Sequence, residues 1–204
     1  MAFPAGAAAD PAEVAVPGIA IEREVPIRLG RACHPLGVES LGRCVDEDGE
    51  RDLYVASLPS FGDWRRLAAD PAWAAAVEEP GDGFALFVAY DATELSAELT
   101  EEFASYCIDR GLFWVSTWGA DCERVHDTFD RADIAQDAQT GIVMSTWHHD
   151  EPLDEALLLF WNAFPAEGKP DGPARIGISV GSHEWVEVMR RSADDFLRGE
   201  QPKQ

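Results

Sequence analysis

Residues 112–147 read LFWVSTWGADCERVHDTFDRADIAQDAQTGIVMSTW, and their pattern decides the fold. The first run, LFWVSTWG, is apolar, too short for a helix, and stops at Gly119. DCERVHDTFDRADIAQ then carries a helical period, with the helix expected from Asp121, whose short carboxylate can accept free N–H groups of the first turn. GIVMSTW follows as a second strand-like run. The phrase Ser-Thr-Trp-x-x-Asp occurs in both runs, as STWGAD from Ser116 and as STWHHD from Ser145. That separation of 29 residues is the length of one βα unit, so each copy falls where a strand finishes and a helix begins.

The same alternation extends in both directions. Upstream, FALFVAYD ends at Asp91, and TELSAELTEEFASYCIDRG places Leu95, Leu99, Phe103 and Tyr106 on one helical face before stopping at Gly111. Downstream come a helix from about Pro152 through LDEALLLFWNAF, the strand RIGISVG, and a last helix from Ser182 through HEWVEVMRRSADDFL. From Phe84 the order is therefore βαβαβαβα. Strands apolar on both faces, each followed by a helix, call for a parallel sheet covered on both sides with right-handed crossovers. The expected class is α/β, a three-layer sandwich with a mostly parallel sheet of Rossmann-like or flavodoxin-like βα repeats.

Residues before Phe84 read differently. Residues 1–18, MAFPAGAAADPAEVAVPG, are Ala- and Pro-rich with almost nothing bulky to bury, the composition of a disordered leader. Residues 19–83 form a small N-terminal β-rich extension. IAIEREVPIRLG alternates apolar and charged residues, and two β-prone runs flank the turn-forming DEDGE, giving two or three antiparallel strands. Short helices follow, the second with Asp70 as N-cap and Pro71 as its first residue. The α/β domain spans 84–199 and residues 200–204 are a tail.

Composition restricts function. With 16 Lys plus Arg against 38 Asp plus Glu, the formal net charge is -22, which repels phosphate backbones and anionic membranes. Nucleic acid and membrane are thus poor partners, whereas a basic protein partner fits such a surface. Cys33, Cys44, Cys107 and Cys122 show no CxxC spacing and no zinc-knuckle pattern, which fits reduced cytoplasmic thiols. The leader lacks a basic n-region, and no apolar run approaches a bilayer span, so a soluble cytoplasmic protein is expected. Nor does the chain contain GxxxxGK[ST], GxGxxG after a strand, GxSxG or HExxH.

In an open parallel sheet, ligands bind beyond the carboxyl ends of the strands. Asp91, Thr117, Trp118, Thr146, Trp147, Ser182 and His183 gather there as candidate ligand-binding residues, with Ser116, Ser145 and Ser179 on the same edge. Cys122 and His126 lie four apart at a helix start, where the helix dipole favours a thiolate. Together with Asp121 they could form a nucleophile, base and orienting group; they could equally be a buried Cys and a surface His. His148, Asp150, Cys122 and His126 are donor types suited to a divalent transition metal, the candidate cofactor. His148 and His149 are adjacent on an extended segment and point opposite ways, so at most one joins a given site. Asp150 also reads as the cap of the helix begun by Pro152, and Ser182 as the cap of the last helix. Trp118 and Trp147 either pack on helices or offer a stacking platform.

WGADCERVHDTFDRAD and VMSTWHHDEPLDEALLLFWNA resemble a bacterial family known as a domain of unknown function, with a W-G-x-D-C…H-D…D pattern followed by T-W-H-x-D-E-x-L-x-E-A. The likeness covers about residues 84–166. It draws attention to Trp118, Gly119, Asp121, Cys122, His126, Asp127, Asp130, Thr146, Trp147, His148, Asp150 and Glu151, and it implies no activity or cofactor. Without a standard catalytic signature, the leading expectation is a binding or regulatory module. An enzyme, metal-dependent or Cys-based and hydrolytic, with its site at the strand ends is the alternative, and neutralisation of a basic toxin or nuclease is a third.

Overall fold

A computed structural model describes residues 37–46, 49–77, 83–94, 96–136, 143–163 and 174–199. Six strands form one sheet in the order β1-β2-β6-β3-β4-β5. They are β1 (Gly37–Asp46), β2 (Gly49–Leu58), β3 (Phe84–Ala89), β4 (Leu112–Trp118), β5 (Met144–His148) and β6 (Ala174–Val180). The helices are α1 (Trp64–Ala68), α2 (Pro71–Val77), α3 (Ala97–Ile108), α4 (Cys122–Ala135), α5 (Leu153–Trp161) and α6 (His183–Arg198). Only β1 runs antiparallel to its neighbour; β2, β6, β3, β4 and β5 are mutually parallel. The βα alternation expected from Phe84 onwards is the one observed.

Helices cover both faces because the apolar residues of the central strands alternate between two cores. Phe84, Leu86 and Val88 of β3 join a cluster with Trp64, Trp73, Phe103 and Phe129 from α1, α2, α3 and α4. Ala85, Phe87 and Ala89 join the opposite cluster, with Leu157, Phe160, Trp161, Met189 and Ala193 from α5 and α6. Burying one such Leu or Phe side chain contributes roughly 1.5–3 kcal/mol, so each layer is held by many equal contributions. The indole N–H of fully buried Trp161 is satisfied by the Ser192 hydroxyl at 3.0 Å. The helix between β5 and β6 carries the chain back across β4 and β3 on the α5/α6 side, while those after β3 and β4 run outward on the other.

Local expectations fare unevenly. Asp70 accepts the Ala72 N–H at 2.8 Å and α2 starts at Pro71, as read from sequence. Ser182 likewise caps α6 by accepting the Trp185 N–H. Asp121, however, makes no capping bond: it is the sole non-glycine residue of positive φ (59°) among the described residues, and its carboxylate turns to Arg124. The cap of α5 is Pro152 and not Asp150, which lies two residues before that cap and pairs with His149. The antiparallel pair around the DEDGE turn is β1–β2, and β2 docks on β6, so these strands widen the main sheet. IAIEREVPIRLG and Leu95 lie outside the described residues.

The last strand departs from the pattern of strands apolar on both faces. β3 and β6 are buried at every residue, but β5 is at the sheet's edge, with Met144 and Trp147 40% and 43% exposed. An edge position leaves part of β5 uncovered, and Ser145, Thr146 and His148 of this strand each hydrogen-bond other polar side chains.

Candidate functional site at strand β5

Most of the strand-end residues are engaged by the helix starts beside them. Asp91 accepts the Thr93 hydroxyl at 2.8 Å and its N–H at 3.2 Å; these bonds hold the Asp91 carboxyl below the usual carboxylate range. Thr117 is buried and donates to the Cys122 carbonyl at 3.0 Å. Trp118 donates its indole N–H to the Glu151 carbonyl at 2.8 Å and packs edge-on against Trp185. The Ser182 carbonyl accepts the Ser179 hydroxyl at 2.6 Å, while His183 is exposed, 3.8 Å from Glu187. Arg124 bonds the Asp121 carboxylate at 2.7 Å and also the Ala92 carbonyl, tying the β3 and β4 loops together.

Cys122 opens α4 with its side chain buried. Burial pushes the thiol up, against the opposing pull of the His148, Cys122 and Glu123 backbone N–H groups directed at the sulfur. The helix start therefore does not produce an activated thiolate. Both ring nitrogens of His126, four residues on, face other groups.

On the α5/α6 side, Ser116, Thr146 and His148 form an unbroken relay. The Trp114 indole N–H donates to Ser116 Oγ at 2.9 Å, Ser116 Oγ lies 2.9 Å from Thr146 Oγ1, and Thr146 Oγ1 lies 3.1 Å from His148 Nε2. His148 Nδ1 is 2.9 Å from Glu151 Oε2. An indole nitrogen only donates and a carboxylate only accepts, so Ser116 accepts from Trp114 at one end and Glu151 accepts from His148 Nδ1 at the other. The chain of bonds fastens β4, β5 and the start of α5 together.

On the α4 side of the same strand the polar groups face outward. Ser145 Oγ lies 2.9 Å from His126 Nε2 and donates to Asp130 Oδ1 at 2.6 Å. His126 Nδ1 is 3.3 Å from Asp127 Oδ1, and the imidazole packs against the Trp147 ring at 4.5 Å. His126 itself is buried, but the side chains of Asp127 and Asp130 are 57% and 43% exposed. A half-exposed indole, an imidazole packed on it and two exposed carboxylates facing that imidazole make a composition that suits a guanidinium or ammonium group.

The expected metal ligands do not share a centre. His126 stands on the α4 side with Ser145, His148 on the α5/α6 side with Glu151, and Asp150 is exposed beside His149. Among the described residues no group of three or more His, Cys, Asp or Glu side chains is placed to hold a metal ion. Neither Asp127 nor Asp130 stood out from residue chemistry alone, and Ser145 was one hydroxyl among several. The available signal was the βαβ geometry, which lays α4 directly on the strand that follows it.

The fold and site together define an α/β sandwich whose polar side chains are gathered on the two faces of an exposed edge strand. The chain belongs to the family described as a domain of unknown function, DUF7684, whose model matches residues 64–189. No curated protein and no solved structure matches it. Among the described residues no helix is long and apolar enough to cross a membrane.

Proposed function

We propose that this domain is a cytoplasmic binding module that recognises a basic segment of a protein partner at the α4 side of β5. The observation that carries the reading is Trp147, 43% exposed and packed on His126, whose two ring nitrogens face the Asp127 and Asp130 carboxylates. A cation over an aromatic face contributes about 0.5–2 kcal/mol, and a carboxylate alongside adds direction. The net charge of -22 would speed encounter with a basic partner and disfavour nucleic acid.

The experiment is calorimetric titration with an arginine-rich peptide at about 0.15 M salt, where exposed charges beyond roughly 8 Å are screened. Binding that is lost in Trp147→Ala and weakened in Asp127→Asn/Asp130→Asn supports the reading. Neutralising Glu184 and Asp194 of α6 removes the same charge elsewhere. Equal weakening in that variant would reduce the interaction to net charge, and wild-type affinity in Trp147→Ala would overturn the site.

A further inference from the structure

We propose that Ser145 is a nucleophile, with His126 as its base and Asp127 as a positioning residue, acting on uncharged or cationic esters that carry an aromatic group. Ser145 Oγ donates to Asp130 Oδ1 at 2.6 Å and lies 2.9 Å from His126 Nε2, close enough for its proton to pass to that nitrogen when Nε2 is unprotonated. When the His126 Nδ1–H points at Asp127, the Nε2 lone pair faces Ser145, the arrangement a hydroxyl nucleophile requires. Asp130 Oδ2, 3.7 Å from Nε2, adds a second negative charge beside any imidazolium that forms. The groups facing His126 are Ser145 and Trp147 from β5 and Asp127 and Asp130 from α4.

Ser116, in the other copy of the phrase, shows what an unreactive serine looks like here. It is buried at 1% exposure, accepts from Trp114 and lies 2.9 Å from the Thr146 hydroxyl, so no approach is left for an electrophile. Ser145 is only partly buried, and Trp147, two residues along on the same side of the strand, supplies an apolar wall. The acidic surroundings repel carboxylate substrates, which sets the charge preference.

In the reaction, Oγ forms a bond to the acyl carbon as its proton passes to His126 Nε2. The C–O bond to the leaving alcohol breaks, and that alcohol takes the proton from Nε2. Water then attacks the acyl-serine and gives a proton to Nε2; the acid departs, and Ser145 recovers its proton from Nε2. No oxidant or reductant is involved. The role is separate from partner recognition: Trp147→Ala abolishes peptide binding under the first reading, whereas Ser145→Ala abolishes only acyl transfer under this one.

The full chain is incubated with an uncharged aryl fluorophosphonate, the adduct is located by peptide mass spectrometry, and p-nitrophenyl acetate turnover is followed in parallel. The expected result is an adduct on Ser145, missing from Ser145→Ala, retained in Ser116→Ala, and formed roughly a hundredfold more slowly in His126→Gln. Asp127→Asn should lower kcat with KM unchanged, and Asp127→Glu should restore part of the loss; a merely structural Asp127 would show no such split between kcat and KM. Circular dichroism shows which variants remain folded. A folded wild-type chain that gives no adduct at Ser145, or labels at the same rate in folded His126→Gln, overturns the proposal.

Discussion

Two copies of Ser-Thr-Trp lie side by side in strands β4 and β5, yet like residues do not face alike. In the parallel ladder Ser116 is opposite Thr146, Thr117 opposite Trp147, and Trp118 opposite His148. The copies are therefore offset by one residue, and an offset of one exchanges the two faces of a sheet. Ser116 and Trp118 are turned towards α5 and α6, where the relay and Trp185 enclose them. Ser145 and Trp147 are turned towards α4, at the edge, where carboxylates and solvent meet them. Register assigns one copy to structure and leaves the other available for chemistry.

The contrast is broken most severely at Gly119, which follows the first copy with φ +115° and whose added Cβ would lie 2.4 Å from the Tyr90 carbonyl oxygen. Gly119→Ala should lower unfolding free energy by about 3 kcal/mol in urea titration. The exposed His149, after the second copy, should change by less than about 0.5 kcal/mol on conversion to Ala. Next comes the tryptophan pair. Trp118→Ala, losing the Trp185 contact and the bond to Glu151, should cost about 2 kcal/mol, whereas Trp147→Ala should cost about 1 kcal/mol or less, its main effect being on ligand binding. Equal costs would show that the two environments are not distinct.

A smaller effect sharpens the comparison. In a double-mutant cycle, Ser116→Ala and Thr146→Val should couple by about 1 kcal/mol, because they belong to one relay, while Ser116→Ala and Ser145→Ala should be additive within about 0.5 kcal/mol. The least effect on stability near neutral pH concerns Cys122. Burial raises its thiol, so alkylation by iodoacetamide should reach half its maximal rate above the ordinary thiol range in the native protein and within that range in urea. The linked stability is whole below the ordinary thiol pKa and declines as pH rises towards the folded value. Fast native alkylation near neutral pH would return Cys122 to the list of nucleophiles.

The sheet and its layers were legible in the sequence because β3 and β6 are apolar along their length and the helices between them carry a clear period. The edge position of β5 was not, since GIVMSTW is as apolar as a central strand and strand order leaves no local trace. The site was legible in kind and not in grouping. Cys122 and His126 share a helix face by spacing, but spacing says nothing about the strand against which that face lies. There, Ser145 meets the imidazole and backbone amides meet the thiol. The left-handed backbone of Asp121 was also unreadable, because an Asp before a helix ordinarily caps it.

Strand β6 is the last of the described strands in chain order but sits between β2 and β3, bonded to both. It is a keystone: until residues 174–180 arrive, the β1–β2 hairpin has no seam to the three-stranded half formed by β3, β4 and β5. On a ribosome adding about 10 residues per second, the edge of β2 waits roughly ten seconds for its partner. The sheet is built like an arch, in two flanks that gain a common centre only once β6 is in place.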